Sequence, residues 1–512
     1  MIRAAYQNLG DAKILRIGLR CLSTTNQDAS SKFVPNATLA LRGVVRPGMK
    51  LSVGGFGLGG LPETLLNEIS KHDEAWDLTI ASLTASVDGF GLGKLFEGGK
   101  VKRMIASYVG ENKNFEKMYF SGKLEVELTP QGTIAARMYA AGAGIPAFFS
   151  PAGCGTIYSE GGIPIKYNES GEVEIESPPR VVQEFNGHKY VMEEAYHADL
   201  ALVKAKVADT RGNLIFHGTS RNANPDCAMS GKITIVEAEE IVEAGALDPD
   251  AIHLSGVYVD AVIPAADNEK RIERLRERSD DESEPVITGG RGRILRRAAK
   301  EFKNGMYTNL GIGLPTMASN YIPDDVHIEL HAENGMMGID KYPRVGQASP
   351  DWINAGKETI TCIRGGSAFS SSDSFNMVRG GHLDLTMLGA LQVSANGDLA
   401  SWIIPGKLLK GMGGAMDLVC APETKVIVTM DHCAKDGSPK LLQECTLPLT
   451  GKGVIDRIIT DMGVFDIDKN NTHGGAMMLV EIAPGITVDD VRAATGAKFD
   501  TVPEPIPLMD KE

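Results

Sequence analysis

Short apolar and β-branched runs recur along the chain, separated by stretches with helical spacing. KLSVGGF (50–56), DLTIAS (77–82) and ALVKAKV (201–207) read as strands in the first half, and VHIEL (326–330), ITCI (360–363) and KVIVTM (425–430) in the second. PETLLNEISKH (62–72), ILRRAAKEF (294–302) and PTMASNYI (315–322) read as helices. Strand and helix in alternation predict α/β layering with largely parallel sheets.

VGGFGLGGLPETLLNEI (53–69) sets Gly55, Gly57 and Gly60 in a G-x-G-x-x-G arrangement between strand and helix. A dinucleotide loop of that form needs a carboxylate about 20 residues on, at the far end of the next strand, to hold the ribose. Asp77 stands at the start of that strand and Asp88 past its end, while Pro62 crowds the turn where a phosphate would sit. With 58 glycines in 512 residues the pattern is easily met. An NAD(P)-dependent oxidoreductase is therefore a remote alternative, and the glycines read as tight turns that let another chain or a ligand come close.

The chain also repeats itself. RPGMKLSVGGFGLGGLP (46–62) has a partner in KNGMYTNLGIGLP (303–315). Lys357 of a Gly-Lys pair follows Lys100 of another by 257 residues, and GHLDLTM from Gly381 follows GKLEVEL from Gly122 by 259. Ile404-Pro405 follows Ile145-Pro146 by the same 259. Ordered landmarks at near-constant spacing indicate an internal duplication. The reading is two homologous open α/β domains, residues 26–265 and 289–512, with the active site between them. Gly55, Gly57 and Gly60 from one half and Gly311 and Gly313 from the other frame that site. The connecting segment, 266–288, includes DNEKRIERLRERSDDESE (267–284), where 13 of 18 residues are charged. Such a segment cannot bury a core and reads as a solvated tether.

Bulk properties narrow the function. A formal charge of −14 gives no general attraction to nucleic acid or acidic membranes. No apolar run reaches 18 residues, so no membrane span is expected. Seven cysteines without a C-x-x-C pair indicate a reducing compartment. The first 25 residues carry Arg3, Lys13, Arg16 and Arg20 against Asp11 alone and end in Ser and Thr, the character of a mitochondrial presequence and hence of a matrix protein.

One position breaks the symmetry of the halves. Aligning DLTIASLTA from Asp77 with DVHIELHAE from Asp325 sets Glu333 opposite Ala85. In a strand, His327, Glu329, His331 and Glu333 share one face. Glu333 closes that strand ahead of an Asn334-Gly335 turn, where open α/β sheets place their ligands. A metal site on His327 and His331 is disfavoured, since positions i and i+4 of a strand lie about 13 Å apart.

Around Glu333, LHAENGMMG (330–338) resembles the active-site signature of the class I coenzyme A transferases, and KLSVGGFGLGGLP resembles that family's N-terminal glycine signature. VGENKNF (109–115), VELTPQG (126–132), INAGKET (353–359) and IPGKLLKGMGGAMDL (404–418) extend the resemblance over nearly the whole chain, nearest to the mitochondrial succinyl-CoA:3-oxoacid group, in which two bacterial subunits are fused. The chain departs from the usual pattern at Ala332, at Met336-Met337, and at Leu83-Thr84, where many relatives carry an Asn pair.

The resemblance implies a homodimeric enzyme of ketone body use. It would transfer CoA from succinyl-CoA to a 3-oxoacid such as acetoacetate, with CoA thioesters as substrates and no cofactor or metal. Glu333 would be the nucleophile, carrying CoA as a glutamyl thioester. Gln131 and the backbone around Gly414 and Ala415 would donate to the oxyanion. Lys357, Asn334, Leu83 and Thr84 are the candidate substrate-binding positions. By the 259-residue offset Gln131 falls opposite Ala390, so each half supplies a different part of the machinery. No G-x-S-x-G, H-E-x-x-H or G-x-x-x-x-G-K-[ST] pattern is present, as expected where carboxylate and thiolate react without a base or ATP. Acetate in place of the 3-oxoacid is the alternative with the same chemistry, and acyl-CoA hydrolysis a further one.

Overall fold

A computed structural model of the chain describes residues 30–109, 111–279, 287–404, 408–409, 411–469 and 477–509. The expected presequence, residues 1–25, lies outside them.

The first half contains β1 (Lys50–Val53), α1 (Glu63–Lys71), β2 (Leu78–Ala81), β3 (Val101–Ala106), β4 (Glu125–Leu128), α2 (Gln131–Gly142), β5 (Ala198–Asp209), α3 (Asn224–Ser230), β6 (Gly231–Val242) and β7 (Ala261–Pro264). Its sheet runs β7-β6-β5-β1-β2-β3-β4 with every pairing along that path parallel. Alternate residues of β5 and β6 serve different cores. Leu200, Leu202, Ile233 and Ile235 join one apolar cluster, and Ala201, Val203, Val236 and Ala238 join the other. Burial on both faces is what a parallel sheet requires, and it explains the apolar stretch Leu200–Val203 at the heart of β5.

The second half contains α4 (Gly289–Ala299), β8 (Tyr307–Leu310), α5 (Leu314–Ala318), β9 (Glu329–Ala332), β10 (Met336–Ile339), β11 (Cys362–Ala368), α6 (Ser371–Arg379), β12 (Leu385–Leu388), α7 (Ala415–Leu418), β13 (Lys425–Thr429), β14 (Arg457–Ile459), β15 (Gly463–Ile467), β16 (Met477–Ile482) and β17 (Asp500–Thr501). Its sheet runs β11-β10-β9-β8-β12-β13-β14-β15-β16-β17. The central path β9-β8-β12-β13-β14 pairs in parallel, and antiparallel hairpins flank it.

The sheets support the duplication but correct its register. β1 and β8 hold the same place, each between the strand that follows it (β2, β9) and a later one (β5, β12). Two side-chain devices repeat as well. Asp199 accepts the N–H of Lys50 at 3.0 Å, as Asp384 accepts that of Tyr307 at 2.8 Å. Asp260 accepts the N–H of Thr234 at 3.0 Å, as Asp456 accepts that of Val426 at 2.7 Å. HADLALVKAKVADTRGNL (197–214) therefore corresponds to HLDLTMLGALQVSANGDL (382–399), 185 residues on. GKLEVEL forms the edge strand β4 and is not the counterpart of GHLDLTM, which leads into the inner strand β12. The pairing of Gln131 with Ala390 falls with it, and Ala390 matches Ala205. Small antiparallel sheets over residues 147–194 lengthen the first half between β4 and β5, so a constant offset could not hold.

The charged linker is also more ordered than a solvated tether. Residues 274–278 run extended along the second half, not as a helix. Arg276 N–H donates to Thr359 Oγ1 at 2.9 Å, and Arg278 N–H to Pro343 O at 2.9 Å. Thr359, Pro343 and Glu358 offer backbone and side-chain partners, and pairing to them satisfies the strap's own amides.

Candidate active site

β9 ends at Ala332 and the chain turns back into β10 through Glu333, Asn334 and Gly335. Gly335 has φ +116, and a β-carbon there would strike the carbonyl oxygen of Phe369, so the turn requires glycine. Asn334 is fully buried and donates through Nδ2 to Ile353 O at 2.8 Å. It anchors the turn that presents Glu333.

The Glu333 carboxylate lies against the backbone of Gly414, immediately before the single helical turn α7. Although the residue keeps some access to solvent, burial of the carboxyl, helped by the nearby Asp417 carboxylate and opposed by a bond from the Gly414 N–H, pushes its pKa up to about 8. Asp417 is wholly buried, accepts the N–H of Gly132 at 2.9 Å and lies 3.4 Å from Arg379 Nε. Burial lifts it to about 6, against the pull of Arg379. Ala415 N–H is engaged within the turn, donating to Met412 O at 3.1 Å. Of the two backbone donors expected from the sequence, Gly414 alone addresses Glu333.

Gln131 begins α2, after Pro130, and its N–H donates to Gly413 O at 2.9 Å across the two halves. Gly413 N–H in turn donates to Ser107 O at 2.9 Å. Gln131 is buried, yet its Nε2 has no hydrogen-bond partner among the described residues. A buried donor left open is costly unless something arrives to accept from it. The first half thus delivers Gln131 and Gly132 to the loop that carries Gly414, and the second half delivers Glu333.

Lys357 sits in the left-handed region, φ +64, with its Nζ 2.6 Å from Glu273 Oε1 and 5.0 Å from the Tyr108 ring centre. Both charged side chains are 8% exposed. Glu273 belongs to the linker strap, a partner that the charge run disguised. Gly57 packs directly on this pair. Thr84 is buried beside Tyr108, bridged to it through the backbone, whereas Leu83 is wholly enclosed in an apolar cluster with Phe56 and Ile353. Leu83 is therefore core packing, a correction to its expected place at the substrate.

The glycine loop is filled by the chain's own asparagines. Asn222 accepts from Gly55 N–H at 3.1 Å and donates to Gly59 O at 3.1 Å, and Asn224 donates to Gly60 O at 3.0 Å. Gly55, Gly57 and Gly60 all have positive φ. The Gly55 amide and the Gly59 and Gly60 carbonyls thus serve side chains of this chain. In the second half Gly311 packs against Leu388, and Gly313, φ +94, lines a cavity of about 1020 Å³ with Ala332 and Gly356. His331 is neutral, pushed down to about 3 by burial, with its ring nitrogens engaged by Asn309 and Ser374. Sequence reasoning missed Asp417, Arg379, Ser107 and Glu273; only Asp417, two residues past Ala415 in GGAMD, lay inside a motif already singled out.

The chain is similar to known proteins over nearly its whole length. The coenzyme A transferase family matches residues 34–265 and 293–494. The mitochondrial succinyl-CoA:3-ketoacid coenzyme A transferase 2A of Rattus norvegicus is 47% identical over 491 residues, 95% of this chain and 92% of the relative. The mitochondrial succinyl-CoA:3-ketoacid coenzyme A transferase 2 of Homo sapiens is likewise 47% identical over 491 residues, 96% of this chain and 94% of the relative. Among solved structures, an acyl-CoA transferase from E. coli O157:H7, a thioester complex with CoA, superposes with a TM-score of 0.72 at 21% identity, over 94% of this chain and 96% of that one.

Proposed function

The chain belongs to the coenzyme A transferase family, and on that premise we propose that it moves CoA from succinyl-CoA to a 3-oxoacid such as acetoacetate through a glutamyl-CoA thioester on Glu333. The observation that carries the reading is the setting of Glu333: a strand-end carboxylate from one half, held against Gly414, with the open Nε2 of Gln131 brought into the same loop by the other half.

In the first step a Glu333 oxygen attacks the acyl carbonyl carbon, and CoA leaves as its thiolate, giving a mixed anhydride. The thiolate then attacks the glutamyl carbonyl. The C–O bond between the glutamyl carbonyl carbon and the bridging oxygen breaks, free succinate departs, and CoA remains on Glu333. The acceptor carboxylate runs the same steps in reverse. Each attack forms an oxyanion, which the Gln131 amide is free to meet. A carboxyl held near 8 is a stronger nucleophile once ionised than a solvated one, although less of it is ionised at neutral pH.

Steady-state kinetics test the pair. Parallel double-reciprocal lines with succinyl-CoA and acetoacetate support the covalent exchange, and intersecting lines argue for a ternary complex. The acetate alternative rests on Thr84, buried beside Tyr108 at a position where many relatives carry asparagine. A kcat/KM for acetate above that for acetoacetate would favour it.

The reading also places the enzyme in the mitochondrial matrix as a homodimer. The relatives' mitochondrial names and the basic, acid-poor residues 1–25 support the location. An import assay and the solution mass test these two points.

A further inference from the structure

The turn that carries Glu333 is gripped from behind on both sides. On one side Asn334 Nδ2 donates to Ile353 O at 2.8 Å, and the N–H of the same Ile353 donates to Thr219 Oγ1 at 2.9 Å. Thr219 belongs to the first half, in the short helical turn Gly218–Arg221. Its own N–H and hydroxyl both donate to Asp351 O, at 2.9 and 3.0 Å, which fixes the hydroxyl that Ile353 meets.

On the other side His331 Nε2 lies 2.9 Å from Ser374 Oγ on α6, and Phe369 N–H, just ahead of that helix, donates to Gly335 O at 3.0 Å. The first N–H groups of a helix have no partner within it, so whatever meets them helps to fix where the helix sits. For α6 the first half meets two of them. Asn222 O accepts the Ser371 N–H at 2.9 Å, and the Asp226 carboxylate accepts the Ser372 N–H at 3.1 Å together with the Ser372 hydroxyl.

Thr219, Asp226, His331, Asn334 and Ser374 are each no more than 2% exposed. A hydrogen bond in such a place is directional and costly to leave unmade. Bonds that only joined the halves could end anywhere on the second half. These end on the two segments that hold residues 331–335. They also start from the body that carries the oxyanion donor, because α3, with Asp226, packs on α2, which begins at Gln131: Gly142 of α2 lies directly against Met229 of α3.

We propose that Thr219 and Asp226 are positioning residues for the reaction, the first half setting, through Ile353 and α6, the place of the carboxylate that its own Gln131 must serve. The assignment rests on the transferase reading above. Thr219 acts through Asn334, and Asp226 through Ser374 and His331.

The test uses Thr219→Val in the full chain, which exchanges the hydroxyl for a methyl of similar size. Quenched intact-mass measurements follow the loading of CoA onto Glu333 at several succinyl-CoA concentrations. A misplacement of about 1 Å costs about a hundredfold, so loss of one of the two grips should slow loading at saturation by about tenfold or more. The succinyl-CoA concentration giving half the maximal rate should stay near the wild-type value, and Thr219→Ser, which keeps the hydroxyl, should restore the rate. Ser374→Ala breaks the second route inside the second half and should slow loading in the same way, even where Asp226→Ala does not fold. Folded Thr219→Val and Ser374→Ala proteins that load CoA at the wild-type rate, whatever their melting temperatures, overturn the proposal and leave the transferase reading standing. Folded wild-type protein that acquires no CoA sinks the transferase reading and this assignment with it.

Discussion

Glu333 and Gly414 are in direct contact: a β-carbon placed on Gly414 would run into the Glu333 carboxylate. The backbone at 414 has φ −88 and ψ 0, a conformation that alanine accepts. Gly414→Ala should therefore fold, shown by an unchanged circular dichroism spectrum, yet displace the nucleophile. A misplacement of about 1 Å costs about a hundredfold in rate. A kcat/KM within a factor of two of wild type would mean that the contact does not matter.

The pH dependence follows from the same carboxyl. Reaction needs the ionised form, and the free group titrates near 8, so kcat/KM should climb with pH up to about 8 and level off above it. Asp417→Asn removes a nearby negative charge and should move that limb to lower pH. Stability runs the other way. Between the unfolded value near 4.5 and about 8 the folded state holds a proton that the unfolded state has lost, so Glu333 lowers stability progressively across that window. Glu333→Gln should gain on wild type from pH 5 to pH 8, measured by urea unfolding at both.

Gln131→Ala deletes a donor that has no protein partner to lose among the described residues. Turnover should drop by a factor on the order of 10²–10³ while the unfolding midpoint moves little. A large stability loss with modest kinetic loss would instead mark Gln131 as a bridge between the halves.

Lys357 and Glu273 bury a charge pair between the linker strap and the second half. Removing one partner of such a pair costs about 3–5 kcal/mol, because the other is left buried and uncompensated. Lys357→Met should thus destabilise strongly, and Lys357→Met/Glu273→Leu should recover most of the loss. Additive losses in a double-mutant cycle would contradict a coupled pair.

Much of this is legible in the sequence, for identifiable reasons. β5 and β13 announce themselves because strands buried on both faces are rich in apolar and β-branched residues, and Glu333 stands out because its counterpart is not acidic. What fails depends on distance in space. A dipeptide such as Gly-Lys carries no information about where its strand lies in a sheet, so the repeat's register emerges from the sheet order and from Asp199 and Asp384, which hold equivalent strands. Glu273 is hidden in a charge run whose composition signals solvent, although its buried ion pair reaches Lys357. Leu83 belongs to a pair where many relatives carry asparagines, but whether its side chain meets the substrate or the core is decided by packing.

The most direct test is the intact mass of the protein after mixing with succinyl-CoA or acetoacetyl-CoA, followed by borohydride. The account predicts a CoA adduct on wild type that borohydride destroys by reducing Glu333, and no adduct on Glu333→Ala. A folded wild-type protein that acquires no CoA from either thioester, or an adduct that persists in Glu333→Ala, would contradict it.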